Sequence, residues 1–188
     1  MTKGVFLQSL KQLQGLLDRS VTLEAVVIRA VDLIVNSLKD GHKVLICGNG
    51  GSAADAQHMA AELVNRFLRE RKALAACALT TDSSTMTSIA NDYAFERVFA
   101  RQIEALGRAG DVLVAISTSG NSPNVIEALR MARTMGLHTI SLLGKDGGLA
   151  KGLAEVEIIV PSSSTPRIQE VHQLIIHAIC EDVESAFA

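Results

Sequence analysis

The sequence is short of most devices that hold a protein together from outside or draw it to a charged surface. Its three cysteines, Cys47, Cys77 and Cys180, are odd in number, far apart and never in C-x-x-C spacing. That pattern excludes a disulfide framework or cysteine zinc knuckle and fits buried thiols in a reducing compartment. Neither sign of charge dominates: 18 Lys and Arg face 20 Asp and Glu, a net charge of −2. There is then no general field for nucleic acid or an anionic membrane, and any anion must be bound locally. A basic–apolar–small-residue leader is missing, as is any uncharged apolar run of spanning length, which points to a soluble cytoplasmic protein. No internal repeat, low-complexity tract or proline-rich linker breaks the chain. At 188 residues and 48% hydrophobic content, one domain over 1–188 is expected, with a helical pair in 1–40 and an α/β core with a C-terminal helix in 41–188.

What is present is alternation. Phe6, Leu10, Leu13 and Leu17 recur at helical spacing, and a second helix, 23–38, is apolar almost all round. Its surplus apolar surface suggests packing against another subunit, the alternative being an ordinary cap on the sheet. From Lys43 onward, short apolar runs at 44–47, 74–79, 112–116, 139–142 and 156–160 are separated by enough chain for crossover helices. Parallel strands covered on both faces follow, giving a doubly wound five-stranded α/β sheet.

The chemically richest stretch runs from Cys47 to Glu62. Gly48, Gly50 and Gly51 remove the Cβ atoms that would keep a ligand off the backbone, and Ser52 stands where a helix N-cap belongs. A helix start offers unpaired N–H groups and the positive end of its dipole, a fit for phosphate. His58 and Glu62 are one turn apart on one face, with Asp55 beside them. The loop is not a Walker loop and not G-x-G-x-x-G, so no nucleotide is implied. A tight turn followed by a partly exposed His/Glu pair is the plainer alternative.

Open parallel sheets bind ligands beyond the carboxyl ends of their strands. Three such loops are polar: Asn49–Ser52, Thr80–Thr85 and Ser117–Ser122, the last with four hydroxyls ahead of Pro123, a good opener for the next helix. Together they suggest a phosphate cradle without a lysine, against simple capping and turn chemistry as the alternative. Asn91 and Asp92 lie between helical stretches, where capping is as good an account as ligand binding. In the final helix, about 167–186, Gln169, Gln173 and His177 recur every four residues as one polar stripe that either is solvated or lines a site.

Five segments carry a nearly full-length resemblance. They are CGNGGSAADAQHMAAEL at 47–63, TTDSSTMTSIANDYAFERVFARQ at 80–102, GDVLVAISTSGNSPNVIEAL at 110–129, GKDGG at 144–148 and RIQEVHQLIIH at 167–177. The chain resembles sugar isomerase (SIS) domains and, more closely, the bacterial phosphoheptose isomerases; Pro166 departs from the Asp or Ala expected before Arg-Ile-Gln. The resemblance implies a SIS-type, flavodoxin-like sheet. It also implies conversion of sedoheptulose 7-phosphate to D-glycero-D-manno-heptose 7-phosphate, on the route to the heptose of lipopolysaccharide. Carried onto these residues, it makes Glu62 the base and His177 the acid. Ser52, Ser117, Thr118, Ser119 and Ser122 would hold the phosphate, and Asn49, Gly50, Gly51, Asn91, Asp92 and Gln169 would bind or orient the sugar. It further implies a zinc site of His58, Glu62, Gln169 and His177, and a homotetramer. Metal on Glu62 and His177 would compete with their acid/base roles. The rival within the same fold is a replication-initiator-associating scaffold, which resembles an isomerase that has lost the acid/base pair; both residues are present here. A sugar-sensing regulator is a third reading, disfavoured because no helix-turn-helix fits before Lys43.

Overall fold

The computed structural model describes residues 4–188. Helices α1 (Val5–Ser20) and α2 (Glu24–Lys39), joined by a single 3₁₀ turn, lead into β1 (Val44–Gly48) and α3 (Gly51–Val64). Then come β2 (Ala76–Ala78), α4 (Ser83–Asp92), α5 (Val98–Leu106), β3 (Val112–Ser117), α6 (Pro123–Thr134), β4 (His138–Gly144), β5 (Val156–Val160) and α7 (Thr165–Ser185). All pairings are parallel, in the order β2-β1-β3-β4-β5. That order reverses direction between β1 and β3, where open sheets of this kind leave a crevice for ligands. Residues 1–3 of the expected helical pair lie outside the described residues.

Alternation along the strands divides the interior in two. Val44, Ile46, Val112, Val114 and Ile116 face a core built with α1, α2, α3 and α7. Leu45, Cys47, Leu113 and Ala115 face a second core built with α4, α5 and α6. Cys47 is fully buried, which pushes its thiol up to about 12 and makes it a core residue rather than a nucleophile. Cys180 is likewise buried and Cys77 is exposed, all three being free thiols.

Two expectations shift. The second strand is three residues rather than six, because the Leu74 N–H turns away to the Leu63 carbonyl at the end of α3 (3.1 Å). The surplus apolar surface also moves. In the 23–38 helix only Ile28 among the large apolar residues is strongly exposed, whereas α1 and its exit expose Val5, Phe6 (81%), Leu7, Leu10 and Val21. The apolar side of α7 is buried within its own core, with Leu174 the exception.

At the N-terminal ends of β1 and β3 a polar cluster closes on itself. Asp111, 1% exposed, accepts from the Lys43 ammonium and from the backbone N–H groups of Lys43 (3.0 Å) and Arg108 (2.8 Å). Ser37 on α2 donates to the Gly110 carbonyl at 2.7 Å, tying the helical layer to the same corner. No helix among the described residues is long and apolar enough to cross a membrane.

Candidate active site at the β1–β3 crevice

At the opposite ends of these strands, Gly48 of β1 lies in register with Ile116 of β3, so the loops that follow emerge side by side. Gly48 lacks a Cβ where one would meet the Ser52 carbonyl at 2.6 Å, and Gly50 takes φ +56°, a left-handed turn suited to glycine. The turn completes early: Gly50, not Ser52, is the N-cap of α3, and Ser52 sits buried in the first helical turn. The Ser52 and Ala53 N–H groups turn back to the Asn49 and Gly50 carbonyls (3.0 Å each), and the Asn49–Ser52 backbone borders the crevice.

That backbone, with the β3 loop, lines a cavity of about 310 Å³ formed by Asn49–Ser52, Ile116–Thr118, Ser122, Thr165 and Gln169. Ser117 Oγ accepts the Gly120 N–H (3.1 Å) and lies 3.1 Å from Ser122 Oγ, so the hydroxyls are oriented by one another. The lining contains no carboxylate and no ammonium. With hydroxyls and the starts of α3 and of α6, which opens with Pro123 after Ser122, on its walls, the cavity has the composition of a lysine-free anion site. The β3 loop is stiffened from behind. A Cβ on Gly120 would run into the Gly147 carbonyl, and Ala150 N–H bonds Gly120 O at 2.9 Å, so the Gly144–Gly148 loop serves as its backing.

Asn49 spends its amide on a reciprocal pair with buried Asn124, both bonds 2.8 Å, which locks the β1 loop to α6. Ser119 is not part of the lining; its hydroxyl accepts the Asn121 N–H. Asn91 and Asp92 also stand apart from the cavity, exposed at the end of α4 and bonded to each other at 2.8 Å. Pro166 occupies the first turn of α7, where a missing N–H costs little.

The second half of the site lies along the seam between α3 and α7. Gln169 packs against Gly51, so closely that any Cβ there would collide with its amide. One turn further, the Gln173 amide donates to His58 Nδ1 (3.0 Å) and to His177 Nε2 (2.8 Å). With its Nδ1 accepting, His58 carries its proton on Nε2 and donates it to Glu62 Oε1 at 2.9 Å. The two imidazoles meet edge to face at 5.1 Å, and the Phe67 ring covers His177 at 5.5 Å. Glu62 Oε2 makes no hydrogen bond among the described residues. Asp55, on the same face, has a buried oxygen without a partner among the described residues, and burial raises its carboxyl above the ordinary range although His58 pulls the other way.

The donor types here suit zinc: two imidazole lone pairs, on His58 Nδ1 and His177 Nε2, already converge on one point, now filled by the Gln173 amide. Glu62 lies on the far nitrogen of His58 and Gln169 lies a turn away beside Gly51. Among the described residues no three His, Cys, Asp or Glu side chains converge as a metal site.

A larger cavity, about 540 Å³, lies between β2, α4 and α5. Its polar groups are already engaged: Asp82 caps α4 through the Thr85 N–H (3.0 Å), and the Gln102 amide bonds the Leu79 and Val98 carbonyls. It lacks convergent groups aimed at a ligand.

The SIS domain family matches residues 8–144. A phosphoheptose isomerase of Citrifermentans bemidjiense is 62% identical over 155 residues, covering 82% of this chain and 81% of the relative. The chain belongs to the phosphoheptose isomerase family. A Helicobacter pylori phosphoheptose isomerase is 52% identical across 99% of this chain and 92% of its own. The solved phosphoheptose isomerase of Neisseria gonorrhoeae superposes with a TM-score of 0.88 at 46% identity, covering 96% of this chain and 97% of that one. The family's fold is thus the fold described above.

Sequence alone gives Gln173 no role of its own and does not point to Thr165, Asn124 or the Phe67 ring. Gln173 stood on the 169/173/177 stripe, and its spacing between the two outer members was the available signal. Thr165 opens α7 and lines the cavity. Asn124 has no local signal, because its partner is 75 residues away.

Proposed function

We propose that this isomerase-family enzyme interconverts sedoheptulose 7-phosphate and D-glycero-D-manno-heptose 7-phosphate, supplying heptose for lipopolysaccharide. The observation that carries the reading is one seam with a lysine-free anion cavity at one end and a Glu62–His58–Gln173–His177 hydrogen-bonded chain at the other. The phosphate enters the cavity over Gly50–Ser52, Ser117, Thr118 and Ser122. Ser119, Asn91 and Asp92 remain part of the proposed substrate set through approach of the sugar from outside the cavity. Gly51 and Glu62 are eleven residues apart on α3, about 16 Å of rise, less roughly a turn for the backward lean of the side chain. That span suits a sugar whose carbonyl lies at the end remote from its phosphate.

The reaction moves a carbonyl from C2 to C1. Glu62, held through Oε1 by His58, takes a proton from C1 with Oε2, and the C–H electrons form the enediolate. The same carboxylic acid returns the proton to C2, while His177 exchanges protons with the oxygens on C1 and C2 so that charge never accumulates there. The Gln173 bridge and the Phe67 cover keep the imidazole aimed. Zinc, if bound by His58, Glu62, Gln169 and His177, would require the Gln173 amide to release both imidazoles and Glu62 to leave the far nitrogen of His58, and would supply Lewis-acid polarisation of the sugar oxygens. The exposed apolar face of α1 supports a homotetramer, and a monomer by light scattering at micromolar concentration would contradict it. The test of the function is turnover of purified protein on sedoheptulose 7-phosphate beside shorter ketose phosphates. Preference for the heptulose is expected; phosphate binding with no turnover on any of them would hand the chain to the initiator-associating scaffold reading.

A further inference from the structure

We propose that the buried pair Arg71–Glu184 positions the proton-handling residues, an inference that rests on reading Glu62 and His177 as base and acid. Neither side chain touches the crevice. The Arg71 guanidinium is 0% exposed and the Glu184 carboxylate 1%, with Nε and Oε1 3.6 Å apart. The pair acts on three segments at once. Arg71 donates to the Glu62 carbonyl (2.8 Å) and the Leu63 carbonyl (2.9 Å), two of the last carbonyls of α3, which have no helical partner of their own. Glu184, near the end of α7, accepts the backbone N–H groups of Phe67 (2.8 Å), Leu68 (2.7 Å) and Arg69 (2.7 Å). Burial alone would raise that carboxyl, but the three amides and the guanidinium outweigh it and hold it below its ordinary range.

The consequence is geometric. The turn of α3 that carries Glu62 is fastened by its own carbonyl. The connection after α3 is fastened through Phe67, whose ring lies 5.5 Å from the His177 ring. Glu184 itself sits two turns beyond His177 on the same helix. Base, acid and the ring that covers the acid are therefore referenced to one fixed point. A buried ion pair contributes little net stability against an apolar replacement, so its placement, rather than its strength, is the informative feature. Arg71 Nε has no hydrogen-bond partner among the described residues, a sign that the guanidinium is oriented for the carbonyls of α3 rather than for ideal pairing with the carboxylate.

The experiment is Glu184→Gln, which keeps the shape and an acceptor oxygen but removes the charge. Displacement of reacting groups by a fraction of an ångström to about 1 Å costs up to about 10²-fold in rate. The expected result is a kcat lower by about 10- to 100-fold, with KM for sedoheptulose 7-phosphate and affinity for inorganic phosphate within about twofold, because the anion cavity is at the other end of α3. Wild-type kcat in a folded Glu184→Gln protein overturns the proposal, as does a joint collapse of kcat, KM and phosphate affinity, which would mark a general structural role. Should Glu184→Gln not fold, Phe67→Ala decides, since it leaves the pair intact and uncovers His177. A fall of about 3- to 10-fold in kcat alone supports positioning, and unchanged kcat overturns it. Failure of the isomerase reading is separate and visible first, as a wild type that turns over no ketose phosphate.

Discussion

The two ends of β1 and β3 carry similar numbers of polar groups and do opposite things with them. At the N-terminal ends, Asp111 meets two amides and an ammonium, and Ser37 meets Gly110, so the corner is closed. At the C-terminal ends, Ser52, Ser117, Thr118 and Ser122 border a cavity of about 310 Å³, with helix-start amides beside them and no internal counter-charge. A polar cluster that satisfies itself is structure; one that orients its donors toward a space is a site. The α3–α7 seam follows the second pattern, since Glu62 keeps one oxygen outside its hydrogen-bonded chain.

Breaking the contrast from the site side should give the largest effect. His177→Asn removes the proposed acid while leaving the fold in place, and kcat is expected to fall about 10²–10⁴-fold with phosphate binding retained. Breaking it from the closed side should do the reverse. Asp111→Ala strands buried amides and the Lys43 ammonium, and is expected to lose about 3 kcal/mol in urea unfolding while the remaining folded enzyme keeps wild-type kcat.

A comparable effect follows from pH. His172 is fully buried, with Nε2 donating to the Leu143 carbonyl (2.9 Å) and Nδ1 unpartnered among the described residues, and burial depresses it from 6.5 to about 4. The unfolded chain therefore binds the extra proton first, and stability present above about pH 6.5 is lost as pH falls toward 4. The loss amounts to roughly 3 kcal/mol. Urea midpoints measured across that window should show the slope, and His172→Met should flatten it. The smallest effect sharpens the comparison within the cradle: Ser122→Ala removes one of several neutral donors and should weaken phosphate binding by about 1 kcal/mol, roughly fivefold, with kcat little changed.

Much of this is legible in the sequence alone. Continuous apolar strands alternating with helical stretches dictate a parallel doubly wound sheet, and glycine and hydroxyl loops after β1 and β3 mark the crevice, because both signals are local. The His58/Glu62 pair and the 169/173/177 stripe were legible for the same reason, being one turn apart on single helices. Division of labour within the stripe was not. Gln169 faces Gly51 while Gln173 faces His58, a matter of how α7 is phased against α3. Likewise Asn49–Asn124 and Arg71–Glu184 join residues 75 and 113 positions apart in sequence, beyond any spacing rule. The early helix start at Gly51 followed from the left-handed turn at Gly50, which the hydroxyl of Ser52 disguised.

The central claim is that the open polar seam performs proton transfer and not merely anion binding. Its most direct test is Glu62→Gln against wild type, both stripped of metal, assayed on sedoheptulose 7-phosphate with phosphate affinity measured in parallel. The account predicts a fall in kcat of about 10²–10⁴-fold with phosphate affinity unchanged; near wild-type turnover in metal-free Glu62→Gln would contradict it.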